Sequence, residues 1–167
     1  MVAVAPNGYR ASQIHLHWTV FALVAFQVFT GDYMTDLFRA AHEGPTTRAS
    51  PVWTVVHILV GLAVLILMLA RLALRARYGA PPPPAEENAV RRGLAGAVHM
   101  GLYVDLIGAA VVGLLAYFLF PPLAGLHRLM TRPVLFILVG LHVIGALYQF
   151  FVLRSDVVRR MVRPAPR

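Results

Sequence analysis

Histidine is the residue type in this chain most able to do chemistry. Seven histidines occur in 167 residues, and His17, His57, His99 and His142 lie in or at the edge of long apolar runs. His127 stands just ahead of the last run, and His42 lies in a polar stretch beside Glu43, where it is expected to face water. There is no cysteine, which excludes disulfides, thiolate-held iron–sulfur clusters and thioether-attached haem. A bound metal must therefore be held by imidazole, thioether or carboxylate. One buried histidine ordinarily does no more than hydrogen-bond a neighbouring helix. Several ionisable groups in one set of apolar segments are costly there and point to function.

Those segments are membrane-crossing helices. Hydrophobic residues make up 59% of the chain and charged residues 13%, against roughly a quarter charged in a soluble domain. The apolar residues are gathered into runs long enough to cross about 30 Å of hydrocarbon as helix. Four such runs are expected: 14–34, 52–74, 94–120 and 133–153, the last with an alternative start near Leu123. Backbone polar groups in lipid must be satisfied within the segment, so the fold class is an all-α, integral membrane four-helix bundle forming a single domain over 1–167. Between the second and third runs, 78–88 contains Pro81-Pro82-Pro83-Pro84, a stiff extended spacer.

Arginine sets the orientation. The net charge of +8 involves no lysine. Arg10, Arg71, Arg75, Arg77, Arg91, Arg92, Arg154, Arg159, Arg160, Arg163 and Arg167 fall on the side of the termini, whereas Arg39, Arg48, Arg128 and Arg132 fall on the other. The excess selects cytoplasmic N- and C-termini. Arginines placed beside apolar runs read as lipid or cofactor contacts, and nucleic acid is not an expected partner.

With that orientation the histidines sort by depth. His17 and His142 lie towards the cytoplasmic side, and His57 and His127 towards the outer side. A haem iron needs an imidazole on each face, supplied by helices opposed across a bundle. From His127 to His142 is fifteen residues, roughly 22 Å if helical, which leaves room for one haem in each leaflet.

The ordered set of motifs resembles the bacterial cytochrome b561 family, small four-helix quinone-linked cytochromes that include superoxide oxidase. The matching stretches are Ile14-His15-Leu16-His17-Trp18, Val56-His57-Ile58-Leu59-Val60-Gly61, Arg71-Leu72-Ala73-Leu74-Arg75, His99-Met100-Gly101-Leu102-Tyr103, Gly140-Leu141-His142 with Ala146-Leu147, and Arg154-Ser155-Asp156 with Arg160-Met161. They cover nearly the whole chain. The resemblance implies that His17 and His142 ligate one haem b, and His57 with a histidine early in helix 4 a second. It also implies that Arg71, and Arg75 one turn on, meet the haem propionates.

Helix 4 departs from the family pattern. Members space its two histidines about four helical turns apart, whereas His127 is one residue further away, with Arg128 at the expected position. One residue of helix is worth about 100° of rotation. A kink at Pro133 or a single π-bulge would absorb it. If the helix instead starts at Pro133, a residue suited to a first helical position, His127 belongs to a loop and one haem is bound rather than two. Tyr148-Gln149 also replaces the family's paired histidines, and Ala109-Ala110-Val111 stands where members carry a proline.

Other polar residues have two readings each. Asp105 is either a proton carrier for quinone chemistry or a structurally partnered acid. His99 lines a quinone site or packs. Arg71 and Arg75 contact propionates or anchor the helix end. His15 points about 200° from His17 and cannot share its haem. Met34, Met68, Met100 and Met130 are expected to pack.

The functional expectation is a di-haem b cytochrome moving electrons between an outer-face donor and ubiquinone or another quinone. Superoxide:quinone oxidoreductase is one activity the resemblance implies, with Arg39, Arg48, Arg128 and Arg132 steering the anion. Two alternatives keep the bundle: an anchor subunit for a dehydrogenase or hydrogenase, and a haem-free structural subunit. Expected partners are membrane lipid, quinone, and a dehydrogenase or a second copy of the chain.

Overall fold

The computed structural model describes residues 8–43, 51–84 and 87–165, with the backbone alone at 37–43. Arg39, His42, Arg48 and Arg167 therefore lie outside the described side chains. Regular structure among these residues is helical: α1 (Ala11–Glu43), α2 (Pro51–Tyr78), α3 (Ala89–Phe118), α4 (Ala124–Leu129), α5 (Leu135–Phe151) and α6 (Val157–Arg160). A 3₁₀ turn at Pro121–Leu123 leads into α4, and a π-helical turn at Met130–Val134 joins α4 to α5. Four stretches are long and apolar enough to cross a membrane: Ala11–Asp36, Pro51–Tyr78, Ala89–Phe118 and Pro121–Phe151. The last is called the fourth span below.

Local chemistry sets the ends. Pro51 opens α2, where its missing N–H has no helical partner to lose. Gly79 closes it at φ +72°, a left-handed conformation that glycine takes without strain. Asn88 caps α3, its side chain accepting the Arg91 N–H at 2.9 Å. The fourth span begins at Pro121, not Pro133. Pro121-Pro122 provide the fixed φ of a first turn, and Pro133 is accommodated inside the π-helical turn. His127 is consequently helical.

Neighbours in sequence pack as neighbours in space, α1 on α2, α2 on α3 and α3 on the fourth span. Val20, Val64 and Met68 are buried at the centre, with Tyr103, Leu106 and Ile107 packed against them. Large apolar side chains such as Leu59, Ile66, Val104 and Ile144 are exposed on the outside. In water that surface would be prohibitive, and in lipid it is the expected solvent contact.

The termini end of the bundle is stitched shut. Trp18 donates Nε1–H to the Met161 carbonyl at 2.8 Å, and the Ala165 N–H reaches the Tyr9 carbonyl at 3.0 Å. Arg160 bonds the Pro82 carbonyl at 2.7 Å and pairs with Asp156 at 2.8 Å. Gln149 donates to buried Glu87 at 2.9 Å and accepts from Ser155 at 2.7 Å. Gln149 thus holds the proline-rich linker and the tail together.

Candidate functional site

Two opposed histidine pairs occupy the two ends of the bundle. Near the termini end, His17 on α1 faces His142 on α5 with ring centres 6.1 Å apart and planes at 62°. His99 on α3 stands 5.0 Å from His142 on a further side, donating Nδ1–H to the Ala95 carbonyl. That carbonyl can only accept, so the lone pair of His99 is on Nε2. Arg71 Nη1 lies 2.8 Å from His17 Nδ1. A guanidinium has donors only, so Nδ1 is the acceptor in this contact. Arg75, one turn on, is exposed.

Near the opposite, loop end, His57 on α2 faces His127 on α4 with ring centres 6.3 Å apart and planes at 83°. His127 donates Nδ1–H to the Ala109 carbonyl at 2.9 Å, which leaves its Nε2 as the nitrogen with a lone pair. Behind His57, Gln27 donates to its backbone carbonyl at 2.9 Å. Gly113 makes room for the other ring: a Cβ there would meet His127 Cε1 at 2.8 Å. Both histidines line a cavity of about 550 Å³, within the roughly 300–1,000 Å³ of small-molecule and cofactor sites.

The separations fit bis-imidazole coordination. A metal–imidazole bond of about 2.0–2.1 Å, plus roughly 1.1 Å to the ring centre, places two rings across one metal about 6.2–6.4 Å apart. The observed 6.1 and 6.3 Å match this within side-chain freedom. Two opposed imidazoles suit a metal that brings its other ligands with it, as iron does in haem.

The fourth span meets this geometry through the π-helical turn. Fifteen α-helical residues rotate the chain about 60° beyond four full turns. Each residue of a π-helix turns through roughly 82° rather than 100°, so the five residues Met130–Val134 remove about 90°. His127 and His142 then lie on one face within roughly 30° of each other. Thr131 ties the turn to the helix before it, donating to the His127 carbonyl at 2.9 Å.

The remaining expected residues are dispersed. His15 is exposed, away from His17. Asp105 is buried on α3 and touches neither pair through a hydrogen bond. Met68 is in the core, Met130 packs on Gly108, Met100 is 64% exposed, and Met34 lines the cavity without a ligand role in either pair. Arg128 and Arg132 stand where the cavity meets a wider open one of about 760 Å³, which also holds Asp32 and Asp36. Arg132 pairs with Asp32, so that arginine and that acid largely offset one another. Gln27 and Gly113 carry no sequence signal beyond being a polar and a small residue in apolar runs.

Known proteins are similar to this chain along almost its whole length. The prokaryotic cytochrome b561 family matches residues 8–164. The chain is 31% identical to the cytochrome b562 of Cereibacter sphaeroides, across 94% of this chain and 96% of that protein. It is 25% identical to a probable superoxide oxidase, CybB, of Yersinia pestis, across 92% of this chain and 95% of that one. With four apolar spans, paired histidines and a family match along almost its whole length, the chain belongs to the prokaryotic cytochrome b561 family, multi-pass membrane proteins that transfer electrons through haem b.

Proposed function

We propose that this protein binds two haem b groups, one between His17 and His142 and one between His57 and His127, and carries electrons between a donor at the loop end and the quinone pool. The observation that supports this most is the near-equal spacing of the two histidine pairs at opposite ends of the bundle. Haem supplies the one-electron redox change when bound.

The chain's own residues supply position and protons. His127 is held by Ala109 in the tautomer that offers Nε2 to a metal. Ligation by His17 through Nε2 requires a proton on Nδ1, so the Arg71 contact gives way and the guanidinium is free for a propionate. Arg75 is a second propionate contact on the same helix face. His99 Nε2, beside His142, offers a proton site at the quinone end, since reducing a quinone takes two protons with two electrons. The termini are cytoplasmic in a bacterial inner membrane, supported by the arginine excess on their side.

Superoxide is the proposed donor, supported by the likeness to a probable superoxide oxidase. Arg128 lines both cavities and has no ion-pair partner among the described residues, so it is the positive charge left to attract the anion. Haem counted per chain by pyridine haemochrome, followed by superoxide-driven reduction of a soluble ubiquinone analogue, tests the reading. Two haems and quinone reduction are expected. A single haem would remove the di-haem proposal. Haem reduction only with a co-purified dehydrogenase would replace the small-molecule donor by a protein partner.

A further inference from the structure

Asp105 is a buried acid that neither histidine pair uses. It is 4% exposed, and its Oδ2 has no hydrogen-bond partner among the described residues. It is the one acid on α2, α3 and the fourth span.

Its height in the bundle follows from α3. Six residues before it, His99 stands against His142. Four residues after it, the Ala109 carbonyl receives the His127 Nδ1–H. At 1.5 Å per residue these landmarks are about 9 Å and about 6 Å away along the helix. Asp105 therefore lies between the levels of the two pairs. Its direction follows from two glycines: a Cβ at Gly101 or Gly108 would meet Leu138 or Met130 at 2.9 Å, so that face of α3 is pressed on the fourth span. Asp105 is about 40° from Gly101 and about 60° from Gly108 around the helix. Its carboxyl is on the side of the helix that carries both His127 and His142.

The titratable or charged groups nearest in height on the elements packed against α3 are His57 and Arg71 of α2, and His127, Arg132 and His142 of the fourth span. Tyr103 and His99 share its own helix. None forms an ion pair with it among the described residues. An electron arriving on either side adds one negative charge in a medium of low dielectric, where charges act strongly on each other. That charge favours the neutral carboxyl over the carboxylate, and the coupling is reciprocal.

We infer that Asp105 is a redox-linked proton-binding site shared by the two electron-carrying positions, an inference that rests on the di-haem reading. When an electron from the one-electron donor reaches a neighbouring position, the Asp105 carboxylate takes one proton from water and forms an O–H bond. When the electron leaves for quinone, that bond breaks and the proton returns to water.

Optical redox titration of the purified haem-loaded protein at several pH values tests this. The wild-type midpoint is expected to fall as pH rises, by up to about 59 mV per pH unit, the one-electron equivalent of a tenfold change in proton concentration. Asp105→Asn keeps the shape and removes the proton site, so it should flatten that dependence with haem content unchanged. Asp105→Glu should restore it over a displaced pH range. A flat wild-type profile, or an unchanged slope in Asp105→Asn, would overturn the inference while leaving the di-haem reading intact. If Asp105→Asn fails to fold, redox-difference infrared spectra of the wild type decide: a protonated-carboxyl C=O band must appear on reduction, and its absence overturns the inference. Protein that binds no haem overturns the parent reading and this inference with it.

Discussion

The Nδ1–H of His127 is donated to the Ala109 carbonyl at 2.9 Å, which leaves Nε2 as the basic nitrogen in the cavity shared with His57. This hydrogen bond crosses from the fourth span to α3, so the ring is oriented by a helix other than its own. Metal-binding imidazoles are commonly fixed in this way through their second nitrogen.

Ligand removal gives the first prediction. His127→Ala and His57→Ala should each lower haem b from two per chain to one, and His17→Ala and His142→Ala should each remove the other. Pyridine haemochrome assays with electron paramagnetic resonance of the low-spin signals separate the two sites. Loss of both low-spin signals from a single variant would mean that the pairs are not independent sites.

Gly113 gives a second, subtler perturbation of the same pair. A methyl group added there meets His127 Cε1 at 2.8 Å and Nδ1 at 2.9 Å. Overpacking of that kind costs about 1–3 kcal/mol, so Gly113→Ala should weaken haem retention at the loop-end site roughly five- to hundredfold. Gly145→Ala, where nothing lies within 4 Å of the added Cβ, is the matched control. Haem retained on dilution reads the difference, and parity between the two variants would contradict the packing argument.

Much of this organisation is legible in the sequence, for a physical reason. Lipid forces each crossing to be a long apolar helix, so spans show as runs and buried histidines stand out against them. Where the chain leaves simple periodicity, legibility fails. Pro121-Pro122 reads equally as the end of one helix or the start of the next, and Pro133 as a start, because proline suits both places. The structure assigns Pro121-Pro122 to a first turn and puts Pro133 inside a π-helical turn. Gln27 and Gly113 act through contacts between helices, which no spacing along one helix encodes. Asp32 offsets Arg132 only once α1 and the fourth span are brought together. A count of outer arginines alone therefore overstates the positive field there.

Arg128 is the described outer arginine left without an ion-pair partner, and that separates it from Arg132. Arg128→Gln should slow superoxide-driven haem reduction by about three- to tenfold at low ionic strength, and by less as salt screens the field. Arg132→Gln also frees Asp32 and should slow it at least as much. Stopped-flow reduction across a salt series measures both. Unchanged rates with an unchanged salt slope would end the steering proposal.

Arg71 acts on the other pair. Its guanidinium lies 2.8 Å from His17 Nδ1, and a positive charge beside a haem favours the reduced state. Removing it by Arg71→Gln should cost roughly 1–2 kcal/mol of that preference, lowering one midpoint by about 40–90 mV for a one-electron couple. The other midpoint should stay where it is. A redox titration that shows both midpoints moving together would place Arg71 in a general structural role.

The π-helical turn makes the sharpest prediction, because it concerns a single residue. The extra residue between His127 and His142 is offset by the wider turn at Met130–Val134. Deleting exposed Pro133 should let that turn close into an ordinary α-helix, with the lost residue and the lost π-geometry cancelling in rotation. Both histidines would keep their faces, so two haems should be retained despite a deletion inside a membrane span. Inserting one alanine at the same place has no such offset. It should rotate His127 by about 100° and eliminate the loop-end haem while sparing the other. Haem stoichiometry of the two variants side by side reads the outcome. Loss of the loop-end haem in the deletion variant would show that the π-helical turn does more than restore register.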